Sequence, residues 1–157
     1  MKKMAIFLFF LFLIACADGK KVSVQVVDFS GTWMREDDTM ISKIYIQQHG
    51  KEVKFNWKQE AKDGSWKIEC DDMGECDKIR NGEKIEHYSF SVGVSEDGAK
   101  LSVNWIAREL KTKSLAPFTD EIEMSPGGQE IVSRSIAFDK AGKKVYTGEI
   151  YRFTRKE

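Results

Sequence analysis

Val53-Lys54-Phe55-Asn56-Trp57-Lys58 alternates apolar and polar side chains without a break. A period of two belongs to a pleated strand, whose successive side chains leave opposite faces of a sheet. The same phase recurs downstream. Tyr88, Phe90, Val92 and Val94 alternate with Ser89, Ser91 and Gly93, and Leu101, Val103, Trp105 and Ala107 enclose Ser102 and Asn104. Ile44 with Ile46, and Trp66 with Ile68 and Cys70, add further apolar sets. Strands with one apolar and one polar face are those of antiparallel sheets buried on one side.

Turn residues separate these runs: His49-Gly50, Asp63-Gly64, Asn81-Gly82, Asp97-Gly98, Pro126-Gly127-Gly128 and Ala141-Gly142. Asn-Gly and Asp-Gly supply the positive φ angles that tight hairpins demand. Spacings mostly of about 10–18 residues leave room for strands and short loops, and little for helices. The segment from Ala107 to Pro117 reads either as one or two helical turns or as an irregular loop ended by the proline. A long meander with one apolar face per strand closes most economically into a barrel, which removes exposed edges. The expected class is therefore all-β, an antiparallel up-and-down meander of about 8–10 strands closed into a barrel.

Ahead of this domain stand Met1-Lys2-Lys3 and then an unbroken apolar run from Met4 to Ala15. Two lysines and a short apolar block have the form of an export signal. At ~1.5 Å per residue the block makes ~18 Å of helix, against a hydrocarbon core of ~30 Å. That length disfavours a permanent span. Leu13-Ile14-Ala15-Cys16 resembles the bacterial lipobox, and the polar Asp18-Gly19-Lys20-Lys21 follows. The resemblance implies a signal over residues 1–15, acylation of Cys16 and a tether over 16–28, with one domain over 29–157. The alternative is a secretory signal with an incidental cysteine. Two or more acyl chains give stable anchoring. Ala17 stands where lipoproteins kept at an inner membrane often carry Asp, so the resemblance implies the cell envelope, at the outer membrane.

Charge narrows the partners. The chain balances 25 basic against 25 acidic residues, and its lysines and arginines are scattered, not striped, which gives no nucleic-acid footprint. Cys70 and Cys76 enclose Asp71, Asp72, Met73, Gly74 and Glu75. In an exported protein this pair reads as a disulfide across a tight loop. Free thiols are a second possibility. Metal or redox chemistry is a third, because Asp71, Asp72, Glu75 and Asp77 crowd the loop, although the spacing of a calcium loop is missing.

Phe29-Ser30-Gly31-Thr32-Trp33 opens the domain. A Gly-x-Trp there, followed by a β meander, resembles the lipocalin-like barrels. Glu123 to Glu130 is similar to the closing hairpin of bacterial lipocalin-like lipoproteins. The resemblance implies that Gly31 and Trp33 pack at the closed end, with Arg152 or Arg155 of the final strand covering the indole. Arg35 to Thr39 is too short for the helical lid of the fatty-acid-binding relatives.

No motif for chemistry emerges. His49 and His87 have no nucleophile at a recognisable spacing, and neither a nucleophile elbow, a zinc-binding His-Glu-x-x-His nor a phosphate loop is present. We therefore expect no enzyme, no cofactor and no metal. The aromatic set Trp33, Phe55, Trp57, Trp66, Tyr88, Phe90 and Trp105 is in phase with the inward face. It either lines a cavity for a small hydrophobic ligand or fills the barrel. The corresponding functions are a ligand-binding envelope lipoprotein, or a protein-interaction module such as an inhibitor, assembly factor or adhesin.

Overall fold

The structure, a computed structural model, describes residues 24–156 apart from 72, 139, 140 and 142. The signal, Cys16, the start of the tether and Asp72 lie outside the described residues.

Ten strands follow in order: β1 (Gly31–Glu36), β2 (Met40–His49), β3 (Glu52–Ala61), β4 (Trp66–Cys70), β5 (Glu75–Arg80), β6 (Glu83–Val94), β7 (Lys100–Glu109), β8 (Leu115–Met124), β9 (Glu130–Phe138) and β10 (Lys144–Lys156). Each pairs antiparallel with its sequence neighbour, and β1 pairs with β10, so the meander closes into a barrel as expected. Trp33 is the hinge of that closure, opposite Ile44 on β2 and Arg155 on β10. The turns supply the geometry the sequence promised. Asn81 and Gly82, at φ 52° and 81°, join β5 to β6 as a two-residue hairpin.

The alternation in β2, β3, β6 and β7 directs one apolar set inward. Ile44, Ile46, Ile68, Tyr88, Leu101, Val103, Trp105, Ile122, Ile131 and Phe153 form a continuous core, with Phe55, Trp57, Trp66 and Phe90 packed against it. Burial of these side chains is the main favourable contribution to the fold.

The stretch from Ala107 to Pro117 corrects both readings of it. The strands run on through the hairpin, with Arg108 opposite Leu115 and Ile106 opposite Pro117. Only one i→i+4 bond, from Lys113 N to Glu109 O, resembles a helical turn, and Lys113 takes the left-handed conformation at φ 57°. Pro117 does not end a loop. It lies inside β8, where among the described residues the pairing with β9 begins only at Thr119, a position of the kind proline tolerates.

Two departures from regularity shape the barrel wall. β3 pairs with β4 only over Lys58–Glu60, so among the described residues no strand pairs with the first half of β3 on that side, and β6 lies across the gap. The disulfide-closed turn reaches into this gap, where Asn56 Nδ2 donates to Cys70 O at 3.3 Å and Phe90 N to Gly74 O at 3.1 Å. The Cys70–Cys76 bond joins residues directly opposite in register and ties the end of the β4–β5 hairpin. In the chain-entropy account, so short a loop contributes about 2 kcal/mol. The second departure is a register shift between Tyr146 and Ile150 on β10.

The two ends of the barrel differ. At one end, Val24–Ser30 crosses the base. Val27 N donates to Gly98 O at 2.9 Å, Gln48 Nε2 to Val27 O at 2.9 Å, and Phe29 N to Gln48 Oε1 at 2.9 Å. Val27 packs on the core and Phe29 is wholly buried. The barrel thus takes in residues that the sequence reading gave to the tether, because Gln48 and Gly98 satisfy their backbone. At the other end, β1 and β2 are joined by Asp37–Thr39 alone, and the barrel opens.

Candidate functional site

Each strand contributes its inward residues near the open end to a cavity of about 310 Å³. Ile44, Ile122 and Phe153 make its apolar floor, and Phe55, Trp57, Trp66, Tyr88, Trp105 and Phe118 its aromatic wall. Trp105 is the hub of that wall. Phe118 stacks on it with ring centroids 5.9 Å apart and an interplanar angle of 12°. Trp57 meets it edge-on at 5.3 Å, Phe55 at 6.1 Å, and Phe90 lies tilted at 4.8 Å. Such offset and edge contacts are the favoured aromatic geometries, and they fix the rings without filling the space between them.

Polar groups enter at fixed points. Trp57 Nε1 donates to Ser42 Oγ at 2.9 Å. On β8, Asp120 Oδ2 accepts from Trp105 Nε1 at 2.9 Å, and its other oxygen accepts from Ser135 Oγ. Burial pushes the Asp120 carboxyl above its ordinary value, aided by the charge of Glu149 and opposed by those two hydrogen bonds. Nearer the rim, the Arg35 guanidinium lies 4.6 Å over the Tyr151 ring and pairs with Asp37 at 2.8 Å. Lys78 Nζ lies 5.6 Å over Trp66 and pairs with Glu86 at 3.3 Å. The Tyr151 hydroxyl donates to Glu149 and that of Tyr88 to Glu86. Burial and then Glu149 push the Tyr151 phenol up to about 12, so both tyrosines are neutral donors near pH 7.

Of the seven aromatic residues named from the sequence, five line this cavity together: Phe55, Trp57, Trp66, Tyr88 and Trp105. Phe90 faces a lateral cleft of about 690 Å³ beside the disulfide turn, with Tyr45, Val53, Met73 and Val92. Trp33 lies at the closed end and does not reach the cavity. Its Nε1 donates to Phe29 O at 2.9 Å, and Arg155 covers its face at 4.4 Å. Gly31, at φ +143°, takes a backbone conformation that favours glycine, and a Cβ there would make ordinary contact with the Arg155 guanidinium at 3.4 Å. Arg152 does not share the role. It points outward and pairs with Glu130 at 2.9 Å, because an odd offset from Arg155 puts it on the other face of the strand.

The acidic loop is also accounted for. Asp71 Oδ1 accepts from Met73 N at 2.8 Å and Glu75 N at 3.0 Å, which shapes the turn. Glu75 and Asp77 hold His87 between them at 2.7 Å and 3.0 Å, and Asp77 also pairs with Lys84. The Asp77 hydrogen bond, reinforced by Glu75, holds the His87 imidazole above its usual range although burial opposes it. Among the described residues, no three of His, Cys, Asp or Glu are disposed to hold a metal.

Sequence reasoning missed Arg35, Ser42, Lys78, Phe118, Asp120 and Tyr151. The signal that would have found Asp120 is its phase: Phe118, Asp120, Ile122 and Met124 share one face of β8.

Comparison with protein-family models, with curated proteins and with solved structures found no match. The reading of function therefore rests on the barrel itself.

Proposed function

We propose that the chain is a membrane-anchored envelope lipoprotein whose barrel binds a small, largely apolar ligand through its open end. The observation that carries this is the cavity. Its volume of about 310 Å³ stands at the low end of ligand pockets, roughly 300–1,000 Å³, and its lining has their character, mostly apolar and aromatic with a few placed polar groups. An interaction module on a filled barrel would need no such space. The anchor rests on the lipobox resemblance at Cys16, and Cys16→Ser is expected to release the chain from membranes into the soluble fraction. Firm retention of that variant would overturn the anchor.

Binding is tested by native mass spectrometry of the chain purified from its membrane, alongside quenching of tryptophan fluorescence by apolar probes. Ser133 faces the cavity and is buried, so Ser133→Phe inserts a ring into the space. The variant is expected to keep a cooperative thermal transition and to lose probe affinity by about tenfold or more, the equivalent of about 1.4 kcal/mol. Equal probe binding by this variant and the parent chain would sink the cavity as the binding site.

A further inference from the structure

Resting on that reading, we propose that the cavity selects an amphipathic cation, an ammonium head on an apolar body, and that Asp120 receives the head. The charged groups lining the cavity are Arg35, Lys78, Asp120 and Glu149. On β1, Arg35 is engaged by Asp37 and stacked on Tyr151; on β5, Lys78 is engaged by Glu86 and lies over Trp66. Both cations of the lining therefore carry their own carboxylate. Asp120 differs, since its hydrogen-bond partners are the neutral Trp105 indole and Ser135 hydroxyl. On β10, Glu149 lines the rim and accepts from the Tyr151 hydroxyl.

A carboxylate offers about four acceptor positions, and these two donors use two of them. An ammonium group could take a remaining one in a charge-assisted hydrogen bond, which is roughly twice as strong as a neutral one. The rings of Trp105 and Phe118 line the same cavity, and aromatic rings attract cations further. The apolar body then lies on Ile44, Ile122 and Phe153. A fatty-acid carboxylate in this position would face Asp120 instead, a like charge in a partly desolvated site.

The test uses three probes of equal length, octylamine, octan-1-ol and octanoate, titrated into the full chain in phosphatidylcholine nanodiscs. The reading is the saturable fluorescence change that Ser133→Phe removes, which separates the cavity from partition into lipid. Octylamine is expected to bind about tenfold tighter than octanol, a margin of about 1.4 kcal/mol, and octanoate weakest. Asp120→Asn can keep both hydrogen bonds, its amide oxygen accepting from Trp105 and its amide nitrogen donating to Ser135. In that variant octanol should bind as before while the preference for the amine disappears.

The preference should also grow as pH rises from about 4 to 8. Octylamine, like a lysine side chain of pKa about 10.4, stays charged over that range, whereas the Asp120 carboxyl, which burial holds above its ordinary value, shifts toward its charged form as pH rises. Octanol or octanoate binding as tightly as octylamine, or an amine preference that survives Asp120→Asn, would overturn the inference while leaving a ligand-binding barrel. No saturable binding of any of the three would overturn the ligand-binding reading, and this inference with it.

Discussion

Trp33→Ala is expected to lower the unfolding free energy by about 4 kcal/mol, measured by equilibrium urea denaturation against the parent chain. Truncating a fully buried tryptophan typically costs about 3–5 kcal/mol through lost transfer energy and the void left behind. Trp33 is 0% exposed, and three further interactions depend on its ring. Its Nε1–H satisfies Phe29 O at 2.9 Å, its face holds Arg155 at 4.4 Å, and Arg155 Nε in turn donates to Gly128 O at 3.1 Å. The closing seam between β1 and β10 runs through the same pair of residues. Trp33→Phe, which keeps one ring but loses the N–H and part of the indole volume, should cost about 2–3 kcal/mol. Neither variant should alter probe affinity while folded, since Trp33 does not border the cavity. A loss below about 1.5 kcal/mol for the alanine variant would show that the closed end repacks without its indole.

Gly98→Ala is expected to cost about 2–3 kcal/mol in the same measurement. Gly98 has φ +70°, and a Cβ there would stand 2.9 Å from Val26 Cα and 3.0 Å from Gln25 O. Left-handed backbone costs a non-glycine residue roughly 1–2 kcal/mol, and overpacking against backbone adds about 1–3 kcal/mol. Gly50, Gly64 and Gly82 are the internal controls. They share a positive φ, but nothing lies within 4 Å of the added carbon, so alanine there should cost only about 1 kcal/mol. If Gly98→Ala behaves like those three, then Val24–Asp28 is not packed on the barrel base in solution. Limited proteolysis at Val24–Asp28 would detect that release directly.

The barrel was legible because β3, β6 and β7 keep strict alternation and because Asn-Gly and Asp-Gly mark their ends. Much of the candidate site was not legible, and β8 and β9 show why. In β8 the inward set contains Asp120 between Phe118 and Ile122. In β9 the residues lining the cavity are Ser133 and Ser135, while Val132 and Ile136, buried at 7% and 1% exposure, alternate with them on the opposite face. A period-two reading takes apolar residues as inward, so it assigns no phase or the wrong one here. Sites that place polar groups in an interior must break the pattern that marks the interior. The ambiguity between Ala107 and Pro117 has a related cause: Arg108, Glu109 and Lys111 to Ser114 lie at the exposed rim, where burial enforces no phase. Arg152 and Arg155 could have been separated from sequence, because their odd spacing on one strand sends them to opposite faces.

The clasp of Val27 by Gly98 and Gln48 also sets a direction. It fixes the point where the chain leaves the barrel at the base, opposite the aperture. From Cys16 to Val24 is eight residue steps, about 28 Å at full extension. The barrel is roughly 30 Å tall, taking the 12 residues of β6 at about 3.3 Å each with a tilt near 40°. If the chain is moored through Cys16 as proposed, it would stand base-down, on a line shorter than the barrel is tall. Cargo would then be exchanged with the water-facing side, handed over by a soluble donor or acceptor instead of being skimmed from the lipid beneath.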